Sequence, residues 1–166
     1  RELVAADYVH QIKRLAHPRL HSPILQLMTG YIVGLKELTD VLSKESAALS
    51  ADAALDLTRH TLSGVRIIDR YTYAIRVHGK YPQFAYWLAM PFFAPVPPEA
   101  DRFYDQPGMM KKNLTLDWYP IGTGPYMLTI NDPNRQMVLQ RNPHYSGETY
   151  PAEGEPGDAA AGLLAD

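Results

Sequence analysis

The residue pattern predicts an α+β fold, and three observations carry the prediction. Two stretches, 65–77 and 120–145, contain paired runs in which apolar and polar residues alternate with the period of two that marks strands. Two others, 2–16 and 34–46, repeat apolar residues with the period of a helix. Fourteen prolines and eleven glycines in 166 residues punctuate these runs, so short elements joined by turns are expected.

The elements follow in order. In Glu2 to Ala16 the residues Tyr8, Val9, Ile12, Leu15 and Ala16 share one helical face. Asp7 in the first turn and Lys13-Arg14 in the last suit the helix dipole, and His17-Pro18 stops the helix. Ser22-Pro23 reads as a second start, with Ser as N-cap and Pro at the first helical position. The short helix that follows ends near Gly30. Gly34 to Ser46 is amphipathic, with Leu35, Leu38, Val41 and Leu42 on the apolar face and Lys36, Glu37, Asp40, Lys44 and Glu45 on the solvated one. Ala47 to Thr61 is ambiguous: Ser50-Ala51-Asp52 offers one more cap, and the stretch reads as a surface insertion. Val65 and Ile67 then alternate, Asp69-Arg70 turns the chain, and Tyr71, Tyr73, Ile75 and Val77 alternate again. The Tyr pair reads as a packed sheet face. Gln83 to Met90 is a short helix with Phe84, Trp87 and Leu88 together. The prolines at 91, 95 and 97 make the next segment extended, and Pro98 restarts a helix to about Tyr104. Gly122 and Gly124 lead into the last hairpin. Tyr126, Leu128 and Ile130 alternate on one face, Asn131-Asp132-Pro133-Asn134 turns, and Met137 and Leu139 return. Asn142-Pro143 ends the pairing, because proline has no N–H to donate.

Composition narrows the function classes. The chain is 46% hydrophobic and 20% charged, ordinary for a globular domain. A net charge of −2 gives no electrostatic case for nucleic acid or an anionic membrane. With no cysteine, disulfides, thiolate metal sites and cysteine nucleophiles are excluded. No run is long and apolar enough to span a bilayer. Position 1 is Arg, no signal peptide is visible, and residues 150–166 are rich in Gly, Pro, Glu and Ala. An excised piece of a longer chain is the expectation, with 1–149 as a partial lobe and 150–166 as a poorly ordered tail.

Several motifs in register resemble one family. Gly122-Thr123-Gly124-Pro125-Tyr126, a short hairpin, and Leu139-Gln140-Arg141-Asn142-Pro143-His144-Tyr145 look like the middle of a bacterial extracellular solute-binding protein of family 5. Gly64 to Ile75 resembles that family's Gly-Val-x-x-x-Asp-x-Tyr-Thr-x-x-Ile hairpin. The run Tyr81 to Pro97 is the most specific match. Val4 to Leu15 is similar to the family's first helix, with Val4 in place of a Thr cap, a loss of about 1 kcal/mol. The strand that precedes this helix in the family, with its His-Asp-Gly turn, is missing.

The resemblance implies a fragment of a periplasmic-binding-protein type II-like lobe, with two β-hairpins in a mixed sheet and packed helices. It implies the substrate-binding component of an ABC importer, in the periplasm or lipid-anchored at the outer face of the cell membrane. The receptor would be a monomer that takes short peptides and meets ABC permease subunits. The loop after the first helix approaches the ligand cleft in this family, so Leu27 or Met28 is the candidate ligand-binding residue; core packing is the alternative for both. A second reading keeps the scaffold and changes the cargo: a metal chelate, haem or sugar, or a ligand-sensing domain. An unrelated hydrolase is the third.

Nothing in the sequence singles out a reactive centre. Histidines 10, 17, 21, 60, 78 and 144 sit on separate segments, and Pro18 breaks the helix between His17 and His21, so no metal-ligand spacing falls on one helix face. Gly-x-Ser-x-Gly and P-loop patterns are absent. Gly122-Thr123-Gly124 is too short for a dinucleotide fingerprint and precedes a strand. We therefore expect no catalytic residue, no metal, no cofactor and no nucleic-acid partner.

Overall fold

Every stretch with a helical or alternating pattern forms the expected type of element in the computed structural model, which describes residues 1–50, 53–145 and 147. The chain divides into two compact units, with the division between Trp118 and Tyr119. The tail expected at 150–166 lies outside the described residues.

The first unit begins with α1 (Ala5–Arg14). Val4 offers no side-chain cap. Instead Asp7, three residues on, reaches back to accept from the Val4 N–H at 3.0 Å, and Arg1 donates to the same carboxylate at 2.9 Å. One orphan donor of the first turn is thereby satisfied without the missing threonine. Helix α2 (Leu25–Tyr31) does not start on Ser22: its N-cap is Ile24, and the Ser22 carbonyl closes a preceding turn with the Leu25 N–H. It ends at Tyr31, next to Gly30 as expected. Helix α3 (Leu35–Ala48) follows Gly34, whose φ of 80° is left-handed and suits glycine. Leu35, Leu38 and Leu42 are buried, whereas Val41 is 48% exposed. Positions i, i+3 and i+7 form the buried stripe, and Val41 sits on its rim.

The core of this unit gathers Ile12, Met28, Ile32, Leu35 and Leu42, with Leu55, Leu57, Leu62, Val65 and Phe93 closing it. The stretch after α3, expected on the surface, thus drops Leu55 and Leu57 into the core. It contains a 3₁₀ turn, Leu57–Arg59, capped by Asp56, which accepts from the Thr58 N–H at 2.9 Å. The alternative cap Ser50-Ala51-Asp52 falls partly outside the described residues.

Strands β1 (Val65–Ile67) and β2 (Tyr73–Ile75) pair antiparallel, Val65 opposite Ile75. The Thr72 carbonyl takes the Ile68 and Asp69 N–H groups across the turn. Beyond β2 the chain continues as a sheet edge for the segment that follows α2. Val33 N–H donates to the Arg76 carbonyl at 3.1 Å, His78 N–H to the Tyr31 carbonyl at 2.9 Å, and Ile32 bridges Val77. On the other side Arg76 N–H donates to the Gly64 carbonyl at 2.7 Å. Three backbone segments therefore lie side by side, and Gly64 is where the crossing is tightest. A Cβ there would lie 2.8 Å from the Val33 Cβ and closer still to its carbonyl oxygen.

Helix α4 (Phe84–Leu88) lays Phe84, Trp87 and Leu88 against the core. The segment after it is not wholly extended: Pro91–Phe93 forms a 3₁₀ turn, because proline is tolerated in a first turn, where its missing N–H has no partner to lose. Helix α5 (Pro98–Tyr104) starts where its proline predicts.

The second unit is an antiparallel hairpin of β3 (Tyr126–Asp132) and β4 (Gln136–Arg141). Among the described residues each hairpin is a two-stranded antiparallel sheet. A register irregularity between Leu128 and Ile130 pairs Leu128 with Leu139 but Ile130 with Val138. The extra residue, Thr129, moves Ile130 to the opposite face from Leu128. The simple alternation of Tyr126, Leu128 and Ile130 therefore does not hold. Met137 and Leu139, expected on a half-buried face, are largely exposed.

Candidate functional site

The two candidate ligand contacts are neighbours on α2, and the structure separates them. A helix turns about 100° per residue, so adjacent side chains point in different directions. Met28 is fully buried among the core side chains, and Leu27 is 42% exposed. Of the pair, Leu27 alone presents surface to a ligand.

One turn beyond Leu27, at i+4, stands Tyr31. Its ring stacks on Tyr81, with centroids 4.1 Å apart and planes 10° from parallel. The Tyr81 hydroxyl accepts from the Trp87 indole N–H at 2.7 Å, and Phe84 tilts against the Tyr81 ring and then meets Phe93 edge-on. Aromatic pairs of this kind add about 0.5–1.5 kcal/mol beyond their burial. Tyr31, Tyr81 and Trp87 are each half-buried. Tyr86, on the outer side of α4, is 76% exposed.

The result is an aromatic ledge made by α2 and α4, with Leu27 at one end. The backbone bonds from Val33 to Arg76 and from His78 to Tyr31 hold the end of α2 in place. Such a surface can offer apolar area, ring faces and a phenol edge to a ligand; it holds no acid–base pair or nucleophile. Trp87 was legible as a helix-face residue, but its bond to Tyr81 was not. Nor does a sequence signal mark Tyr31 and Tyr81, fifty residues apart, as a stack.

Elsewhere in this unit an open hollow of about 430 Å³ is lined by Arg1, Glu2, Val4, Ala6, Ile67, Asp69 and Arg70, away from Leu27. Among the described residues no three His, Cys, Asp or Glu side chains are placed to hold a metal ion. No helix among them is long and apolar enough to cross a membrane.

Comparison with known proteins gives two findings. The family described as bacterial extracellular solute-binding proteins, family 5 Middle, matches residues 1–155. The periplasmic oligopeptide-binding protein OppA of Salmonella typhimurium is 27% identical over 144 residues, covering 86% of this chain and 23% of that protein. The chain therefore spans less than a quarter of the length of this relative. No solved structure matches.

Proposed function

The chain belongs to the bacterial extracellular solute-binding proteins of family 5, and from that premise we propose that it forms part of a receptor that captures short peptides outside the cytoplasmic membrane. The captured peptide passes to an ABC permease. The receptor is a binding protein and not an enzyme. The family match over residues 1–155 carries this reading, and the name of the OppA relative directs it to peptides.

This stretch supplies one wall of the site. Leu27 and the Tyr31–Tyr81 stack give that wall its apolar surface, and Met28 supports it from the core. Backbone groups of an extended peptide would be met largely by other parts of the receptor, as in hinge closure of two lobes around a ligand.

Calorimetry tests the reading. The 166-residue chain titrated with a pool of di- to pentapeptides should show affinity weaker than micromolar. The longer protein carrying this stretch should bind members of the same pool, and Leu27→Asp in it should weaken binding at least tenfold without lowering thermal stability. Micromolar binding by the short chain contradicts the single-wall assignment. Binding of haem, a sugar or a metal chelate by the longer protein, with no peptide response, favours the second cargo class.

A further inference from the structure

Helices α1 and α5, ninety residues apart in sequence, share a buried polar joint. His10 and Arg14 stand one turn apart on α1, and both reach Asp101 on α5. His10 Nε2 lies 2.6 Å from Asp101 Oδ2, and an Arg14 guanidinium nitrogen pairs with Asp101 Oδ1. The three side chains are 5%, 12% and 18% exposed. Asp105, one turn beyond Asp101, attracts Arg14 through space, as does Asp117. Lys13 and Asp7 on α1 and Asp56 of the 3₁₀ turn also act on His10. A hollow of about 200 Å³, lined in part by His10, Asp56, Asp101 and Asp105, lies against the joint.

The joint balances its charge best with a neutral imidazole, one guanidinium against one carboxylate, although Arg14 Nε is buried there without a hydrogen-bond partner. In the Nε2–H tautomer His10 donates to Asp101, and the guanidinium balances the carboxylate. A proton added to His10 puts a second cation one turn from Arg14 in the same desolvated place. A proton added to Asp101 removes the one carboxylate paired directly with Arg14 here and leaves it only the through-space attraction of Asp105 and Asp117. An uncompensated buried charge is expensive, so acid weakens the joint by either route. Burial, then Arg14 and Lys13, push the His10 imidazole down to about 4, so closing of the joint excludes a proton that an exposed imidazole binds below its usual 6.5.

We infer that the His10–Arg14–Asp101 joint is an acid-released latch, which frees α5 from α1 while the apolar core under α2 and α3 stays folded. The sign follows from linkage. The open form binds the proton more tightly than the closed form, so opening grows as pH falls through the window from 6.5 towards 4.

Hydrogen exchange of the 166-residue chain reads this directly, with rates corrected for the intrinsic pH dependence of exchange. Opening at the amides of Arg102 to Asp105 should rise about twentyfold between pH 7 and pH 5, the response of one proton bound at 6.5 when open and about 4 when closed. Amides of Leu38 to Leu42 should show no such rise. His10→Gln keeps an N–H donor for Asp101 and removes the titration, so it should flatten the response. Asp101→Asn should leave α5 open already at pH 7. An equal rise in α3, or an undiminished response in His10→Gln, overturns the latch. A wild-type proton NMR titration of His10 keeps the question decidable should the variants fold poorly: a native midpoint above pH 6 also overturns it.

Discussion

Replacing Gly64 with alanine should be among the most damaging single-methyl changes in this chain. Gly64 is buried, and its carbonyl receives the Arg76 N–H at 2.7 Å. An added Cβ would come within 2.8 Å of the Val33 Cβ and 2.9 Å of the Val33 carbonyl carbon, with the oxygen nearer. Ordinary carbon–carbon contact is about 3.5–4.0 Å, so one backbone must retreat by roughly 1 Å. Retreat is not free, because Val33 N–H is bonded to the Arg76 carbonyl at 3.1 Å on the same ladder. Overpacking costs about 1–3 kcal/mol, and one weakened backbone bond adds about 1 kcal/mol. The sum is about 2–4 kcal/mol, a fall in Tm of roughly 5–15 °C for a chain of this size. Urea denaturation followed by circular dichroism measures it. Gly30→Ala is the internal control: it lies within α2 with nothing near its Cβ position, and should stabilise by about 0.5–1 kcal/mol. A Gly64→Ala midpoint within 0.5 kcal/mol of wild type, by the same criterion, would refute the crossing geometry.

Three further outcomes are expected. Leu42→Ala should cost about 2–5 kcal/mol, because Leu42 is fully buried, while the exposed Val41→Ala next to it should change stability by less than about 0.5 kcal/mol; paired denaturation curves compare them. Burial, then Arg14 and Arg19, push the His17 imidazole down to about 4, and its Nδ1 accepts from the Arg19 N–H at 3.2 Å. Stability from this group is present above pH 6.5 and is lost as pH falls towards 4, by about 1–3 kcal/mol after solvent screening, and His17→Gln should reduce that loss in urea midpoints taken at pH 7 and 4.5. Tyr81→Phe removes the acceptor of the Trp87 indole N–H; it should cost about 1 kcal/mol and shift Trp87 emission.

Local patterns carried far into this structure, and long-range pairings did not. Val65, Ile67, Tyr73 and Ile75 mark the β1–β2 pairing, but Tyr71, read with them as part of a packed Tyr face, lies in the turn and is 63% exposed. The leucines at 35, 38 and 42 mark the buried stripe of α3, though the same periodicity also admits Val41. Ser22-Pro23 resembles a helix start, yet the chain uses that carbonyl for a turn and begins α2 at Leu25. The bulge at Thr129 leaves no mark in an apolar count, because bulges are set by cross-strand register. Of the candidate contacts, Leu27 and Met28 read as neighbours on one short helix, but two adjacent apolar residues give no clue to which faces the core. Tyr31 meeting Tyr81, and His10 meeting Asp101, depend on how α2 and α5 dock, which no local window contains.

The bulge also bears on how relatives should be compared. A one-residue deletion at Thr129 would leave every hydrophobic residue of the ribbon in place, and an alignment would register it as a single gap. Ile130 would then follow Leu128 directly and stay on the opposite face, because successive strand residues alternate, and only the local bend of the bulge would go. Relatives that differ by that gap keep these side chains on matching sides, whereas a relative of equal length without the bulge carries matching letters on mismatched sides, so ribbon residues should be equated only after strand register is known.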